Sequence, residues 1–443
     1  MKDKTYIFEK MPVKQAVINQ IVPAIASQMI ALIYNLADTY FVGLLNSPTE
    51  TASVTVVYPI FVMLIAISNL FGIGGASAVS RALGKKDTEK AKSISSISVY
   101  MSLISGILFS ILFLILSRPI LTLCGARDDV VFKISSGYAK YMVVYGGVFT
   151  ILNNVLANLV RADGSALHAS IGVSLGGIIN IILDPLFVLP ELLNLGAVGA
   201  GIATGISNFC AALYFVILIC IKKGIVNFDF KRLKDTKKYI SEILKIGFPS
   251  AIQYALTVVA IAAQSRFVSN YDTEAIAALG IVKKLDQLPL YFSIGVSSGL
   301  LPLLAYNHAS GDIDRRKKSF KTGLIISLAF SIMCLVVYEI FAPYLIGLFI
   351  SDTRTISYGA MFLRIMVTAM PMMSVCYPMI IQFQAMGKAK ESLICSILRK
   401  GVLDIPLLFI MNAIFPLYGL MLVQPIVDSI SLIVATHMMK KIH

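Results

Sequence analysis

The sequence predicts an all-α membrane protein of twelve transmembrane helices, arranged as two pseudo-symmetric six-helix bundles. Three observations carry this prediction. Hydrophobic residues make up 57% of the 443 residues and charged residues only 14%, with a mean hydropathy of +0.82, a balance outside the range of soluble domains. Apolar windows long enough to cross a bilayer recur along the whole chain. The second half also repeats features of the first in order.

The charged start, MKDKTYIFEKMPVKQ, leads into an apolar window too long for a signal-peptide core, and no cleavage site follows it. Windows fall at 17–42, 52–79, 94–117, 135–160, 169–189 and 197–221 in the first half. In the second they fall at 246–269, 276–305, 322–342, 358–383, 392–412 and 418–438. This divides the chain into an N-terminal lobe (1–221), a basic linker (222–245) and a C-terminal lobe (246–443). Counting Lys and Arg by side tests the span assignment. Of the 38, 27 fall on the side of the N-terminus, and four (Arg118, Arg127, Lys133, Arg354) fall in the opposite loops. The asymmetry predicts a multi-pass plasma-membrane protein with both termini cytoplasmic. It also accounts for the net charge of +14 without a nucleic-acid partner. The six cysteines are scattered, mostly within apolar segments and without metal spacing, which reads as packing.

The repeat is specific. IVPAIASQMIALIYNLADTYFV (21–42) aligns with IGFPSAIQYALTVVAIAAQSRFV (246–268), placing Pro23 on Pro249 and Phe41-Val42 on Phe267-Val268, an offset of 226. LDPLFVLPELLNLGAVG (183–199) matches LDIPLLFIMNAIFPLYG (403–419) at an offset of 220. Six spans per half is an even number, so both halves share one orientation about an axis along the membrane normal. Proteins of this plan bind substrate between the lobes near the midplane.

The most informative span is ASIGVSLGGIINIILDPLFV (169–188). Asn180 and Asp184 stand four residues apart, which stacks them on one helix face. An ionisable group at membrane depth costs about 2.5–3.5 kcal/mol on insertion scales, so a functional reading is the default. Pro185 cannot donate to the carbonyl of Ile181, leaving that oxygen free. In the first span Asp38 follows Tyr34 by one turn, and Tyr34 can donate it a hydrogen bond. Neither acid has a Lys or Arg at i±3 or i±4 on its own helix. Two unpaired acids in a dry lobe favour neutralisation by a proton or Na+. Asp38 also lies toward the far end of its helix, where reaching the headgroups is a competing reading.

A first span ending LADTYFVG, the loop RALGKKD, VRADG after span four and NIILDPLF in span five together resemble the multidrug and toxic compound extrusion (MATE) family, in its DinF-like, proton-coupled type. The resemblance covers nearly the whole chain. It implies two six-helix bundles alternating between inward-open and outward-open forms, and an N-lobe cation site at Asp38, Asn180, Asp184 and Thr204. The same four residues are a possible Na+ site. The resemblance further implies a bend of the first helix at Pro23, and Pro185 is a second hinge candidate. Thr204 also lies in GAVGAGIATGISN, where Gly201 and Gly205 make a small-xxx-small packing surface.

The C-terminal lobe reads differently. Gln264 stands where the repeat places Asp38, and Gln424 stands opposite Thr204. Asp404 aligns with Asp184 but has Lys400 one turn before it, and Asp286 has Lys283 at i−3. Asp428 is unpaired on its own helix. Coupling is therefore expected in the N-terminal lobe. Asn154, Asn158, Gln253, Gln264 and Lys284 are candidate cavity residues, and Lys284 would make the cavity less than uniformly negative. Arg266 and Arg364 are expected to snorkel from one end, and Arg399 and Lys400 from the other. His168, His308, His437 and His443 read as surface residues. No phosphate-cradling loop, catalytic triad or metal motif appears, so no cofactor and no enzymatic activity are expected. The expectation is a monomeric antiporter exporting amphiphilic, cationic small molecules in exchange for H+ or Na+. A lipid-linked oligosaccharide flippase of related architecture is the alternative.

Overall fold

The computed structural model describes residues 6–126, 128–268 and 270–442; Lys2, Lys4, Arg127 and His443 lie outside the described residues. After a short turn at Tyr6–Glu9, twelve crossing segments follow. In the N-terminal lobe these are α1 (Val13–Leu44), α2 (Pro48–Gly84), α3 (Thr88–Leu123), α4 (Asp129–Ala162), α5 (Ala166–Val188) and α6 (Gly196–Lys222). In the C-terminal lobe they are α7 (Thr236–Val268), α8 (Thr273–Ala309), α9 (Ile313–Gly347), α10 (Thr353–Ala385), α11 (Ala389–Ile414) and α12 (Tyr418–Ile442). The described residues contain no strand.

Four acidic residues outside the apolar windows start helices. Asp87, Asp128, Asp312 and Asp352 accept backbone N–H bonds at the starts of α3, α4, α9 and α10, at 2.7–3.0 Å. Ser47 does the same for α2, with Pro48 at the first helical position. Among the described residues four segments are interrupted, one of them α3, which kinks at Leu116. A π turn at Lys140–Tyr145 divides α4, with a bend of 46°, and α10 bends by 44° between Val367 and Met370. These are the equivalent spans of the two halves, and they break alike. A second π turn, Leu398–Val402, divides α11, whereas its counterpart α5 is continuous.

The helices overrun the apolar windows. The clearest case is α7, which begins at Thr236, preceded by a 3-10 turn at Phe230–Asp235. The second half of the basic linker is therefore helical. Hydropathy misses this because TKKYISEILK is amphipathic, but Ile243 is fully buried and the helix is held by what it packs on.

One apolar core fills the N-terminal bundle and continues into Ile243, Val296, Leu300 and Leu304 of α7 and α8. Another fills part of the C-terminal bundle around Val268, Leu279, Phe362 and Val427. The lobes meet through α1 against α8 and α2 against α7, at the end of the molecule that carries the chain termini. A Cβ on Gly247 would lie 1.7 Å from the Leu70 carbonyl oxygen, and one on Gly299 would lie 2.7 Å from that of Gln20. Only a residue without a side chain lets these backbones approach so closely. Glu242 of α7 then reaches across to Arg81 of α2 at 3.1 Å and Lys90 of α3 at 2.9 Å. The N-terminal turn adds a strap. Phe8 stacks on Tyr306 of α8 at 5.0 Å, and Arg315 of α9 donates to the Phe8 and Ile7 carbonyls. Away from this end, a hydrogen bond from Asn35 of α1 to Tyr291 of α8 at 3.2 Å still joins the lobes near mid-height.

Gly247→Val should force the lobes apart at the terminus end. Spin labels at Lys86 and Lys317 should report a longer distance by double electron–electron resonance; an unchanged distribution would show that α2 and α7 do not seal this end.

Candidate functional site

The site grows from α5. Asn180 Nδ2 donates to Asp184 Oδ1 at 3.2 Å, one turn along the same face, and Asp184 is completely buried. Gly177, one turn earlier, admits α1: a Cβ there would lie 2.8 Å from Ile30 Cγ2 and 3.2 Å from Tyr34 Cδ1. Three crossings lie between α1 and α5, so both run in the same direction. One turn past Tyr34, Asp38 therefore comes level with the Asn180–Asp184 pair. The two carboxylates are close enough to repel each other, and Tyr34 and Tyr138 lie within reach of both.

Thr204 reaches the same level from α6, which runs the opposite way. Gly176 of α5 packs on Ser207 and Ala211, and Gly199 of α6 packs on Phe187. That register sets Thr204 beside Asn180, and Thr204 is buried. Gly201 and Gly205 approach the carbonyls of Tyr138 and Tyr141 at the π turn of α4, the close-packing role that their spacing predicts.

Bonding in this group is incomplete. Asp38 Oδ1, Asn180 Oδ1 and Asp184 Oδ2 are buried without a hydrogen-bond partner, and among the described residues neither acid joins an ion pair. The hydrogen bond predicted from Tyr34 does not reach Asp38 Oδ1. Buried oxygens in a native protein are nearly always satisfied, and a buried carboxylate needs a proton, a cation or a counterion. Two carboxylates, an amide oxygen and a hydroxyl are hard donors, suited to H+ or a small hard cation rather than to a soft metal. Both hinge candidates lie inside helices. Helix α1 runs through Pro23 without a break, and the Pro185 carbonyl accepts from Leu189 N at 3.2 Å in the last turn of α5.

Other predicted residues are placed differently. Asn154 and Asn158 donate to carbonyls of their own helix, at Thr150 and Asn154; Asn153 is the residue that crosses helices, to Asn208 of α6 at 3.2 Å. Gln253 and Gln264 are buried and bonded within the C-terminal bundle, to Ser396 Oγ and the Leu420 carbonyl, instead of facing a cavity. Lys284 is half-buried. His168 and His308 are partly buried and hydrogen-bonded, to Tyr214 and Arg316, rather than simple surface residues. Arg399 does not snorkel. It is 1% exposed, pairs with the fully buried Asp428 at 2.8 Å and lies 4.2 Å from the centre of the Tyr377 ring. Asp428 is thus paired from another helix, which spacing along its own helix cannot reveal. Lys400 Nζ donates to Gln424 Oε1 at 2.6 Å, and Gln424 Nε2 donates to Asp428 Oδ2 at 2.8 Å.

Sequence reasoning named Tyr34 but missed the tyrosines gathered around it. Tyr34, Tyr58, Tyr254 and Tyr291, on α1, α2, α7 and α8, come close to one another between the lobes. They come from four different helices, so no pattern along one helix marks the cluster.

The MatE family model matches residues 23–186 and again residues 249–410, opening at the two prolines that begin the internal repeat. The chain belongs to the MatE family. Among curated relatives of this MatE protein is the multidrug export protein MepA of Staphylococcus saprophyticus, 32% identical over 421 residues, covering 95% of this chain and 92% of the relative. MepA of Staphylococcus aureus is also 32% identical, over 98% of this chain and 95% of its own length. In fold, it is similar to a multidrug resistance MATE transporter solved in an outward-facing conformation, with a TM-score of 0.91 at 22% identity, over 98% of this chain and 96% of that one.

Arg399→Gln should destabilise the protein by about 3–5 kcal/mol, because it leaves Asp428 buried without its partner. The double substitution Arg399→Gln/Asp428→Asn should recover most of that loss. Equal thermal unfolding of single and double variants in detergent would show that the pair contributes nothing.

Proposed function

We propose that this MatE protein is a cation-coupled antiporter that exports amphiphilic small molecules by alternating access, driven by inward movement of H+ or Na+. The relatives named as multidrug export proteins support the class of substrate. The distribution of basic residues supports cytoplasmic termini, and the sealed terminus end is then the cytoplasmic one, leaving the lobes open outward. The tyrosines between the lobes suit an amphiphilic cation, since their faces attract positive charge.

The carrying observation is the pair Asp38 and Asp184, on neighbouring helices, each with a buried oxygen that nothing satisfies. In this reading Asp38, Asn180, Asp184 and Thr204 hold the coupling ion, and Tyr34 lines the site. Without a cation, the two carboxylates repel and push α1 from α5. A proton or Na+ removes that repulsion and lets the helices close. The bound cation shifts the conformational balance only as far as it binds one form better than the other. Pro23 leaves the carbonyl of residue 19 without its helical donor, so α1 bends more readily there than elsewhere. Bending at that point moves α1 against α8, and so couples the ion site to the seal between the lobes. Inward opening requires Glu242 to release Arg81 and Lys90.

Asp38→Asn and Asp184→Asn should each lower ion-driven ethidium transport in proteoliposomes by about tenfold or more, a loss of coupling on the scale of ~1.4 kcal/mol or greater, while elution on size exclusion stays unchanged. Undiminished transport by either well-folded variant would reject the assignment.

A further inference from the structure

The internal repeat superposes the candidate cation site on a second set of residues. At an offset of 220, Asn180, Asp184 and Thr204 correspond to Lys400, Asp404 and Gln424, and at an offset of 226 Asp38 corresponds to Gln264. Three features of this second set mirror the first. Asp404 is buried, 4% exposed, and its Oδ2 has no hydrogen-bond partner, as for Asp184 Oδ2. Gln424, at the place of Thr204, offers its Oε1 as an acceptor. What accepts nothing in the N-terminal lobe is here filled: the ammonium of Lys400, four residues before Asp404 in the chain, donates to Gln424 Oε1 at 2.6 Å.

The backbone departs from symmetry at the same place. Helix α5 is continuous, but α11 carries the π turn Leu398–Val402, in which Lys400 leaves helical geometry at φ −138°, ψ 36°. Adjacent residues on a regular helix point about 100° apart. The π turn lets neighbouring Arg399 and Lys400 both address α12, at Asp428 and Gln424. Other charged groups around Asp404 are Arg399, Asp428 and Lys283, and Arg399 is already committed to Asp428.

We propose that the Lys400 ammonium is a tethered counterpart of the coupling cation, occupying in the C-terminal lobe the place that a mobile H+ or Na+ takes in the N-terminal lobe. Lys400 is then the residue that restricts ion coupling to one lobe, and restoring Asn at that position creates a second mobile-cation site at Asp404. The inference rests on the cation site proposed for Asp38 and Asp184.

The test counts protons bound by purified, detergent-solubilised protein between about pH 5 and pH 8, where carboxylates of buried sites titrate, with and without Na+. On acidification across this range Lys400→Asn should take up one proton more than the unsubstituted protein, replaced by one 22Na+ if Na+ is the ion used. Asp404→Asn added to Lys400→Asn should abolish the gain. The Asp184→Asn variant, measured in parallel, should lose one proton, and failure there alone would count against the N-lobe site and not against Lys400. An unchanged count in folded Lys400→Asn overturns the proposal. So does a Lys400→Asn protein that folds only with Asp404→Asn, because Asp404 is then unable to recruit a mobile cation.

Discussion

The organising constraint is electrostatic: Asp38 and Asp184 lie close together in a buried part of the N-terminal bundle, and among the described residues no arginine or lysine pairs with them. Neutral packing residues would cost far less, since a buried charge demands a partner. Everything around the pair maintains the demand instead of relieving it. Asn180 gives Asp184 a single hydrogen bond, Gly177 brings α1 close enough for Asp38 to share the space, and Thr204 arrives on α6 with only a hydroxyl. The arrangement is a cluster of oxygen donors gathered from three helices, with bonding left incomplete at Asp38, Asn180 and Asp184.

That local imbalance has consequences at a distance because of how the lobes touch. Between α1 and α8, and between α2 and α7, the contacts pass through glycines, so the backbones lie against each other with little compliant side chain between them. Such a junction is stiff within one arrangement and abruptly different in another. Polar clasps at its rim, from Glu242 to Arg81 and Lys90 and from the N-terminal turn to Tyr306 and Arg315, can be broken and remade in water. Helix α1 belongs to both regions: its second half carries Tyr34 and Asp38, and its first half carries the close contact with α8. One helix therefore connects the buried acids to the seal between the lobes.

The C-terminal lobe answers its buried acids with resident cations: Arg399 pairs with Asp428, and Lys400, from the same π turn, reaches Gln424, while Asp404 Oδ2 stays without a hydrogen bond. The N-terminal lobe lacks a π turn at that position. Two halves with a common ancestral pattern have therefore diverged in charge more than in shape, and the equivalent bends of α4 and α10 show how closely shape has been kept.

Much of this was legible in the residues alone. Twelve apolar windows, the basic bias of one side, the repeated Pro23 and Pro249, and two acids without helical counterions all follow from local rules of spacing and solvation, and the family resemblance rests on motifs that are contiguous in the chain. What only the tertiary structure decided depends on contacts between helices far apart in sequence. The pairing of Asp428 with Arg399, the burial of Gln253 and Gln264, the tyrosines between the lobes and the amphipathic start of α7 each turn on which face of one helix meets which face of another. Hydropathy and periodicity describe one helix against a uniform solvent. They carry no information about the direction in which a partner arrives, and in a membrane bundle that direction decides whether a charge is exposed, satisfied or left waiting for an ion.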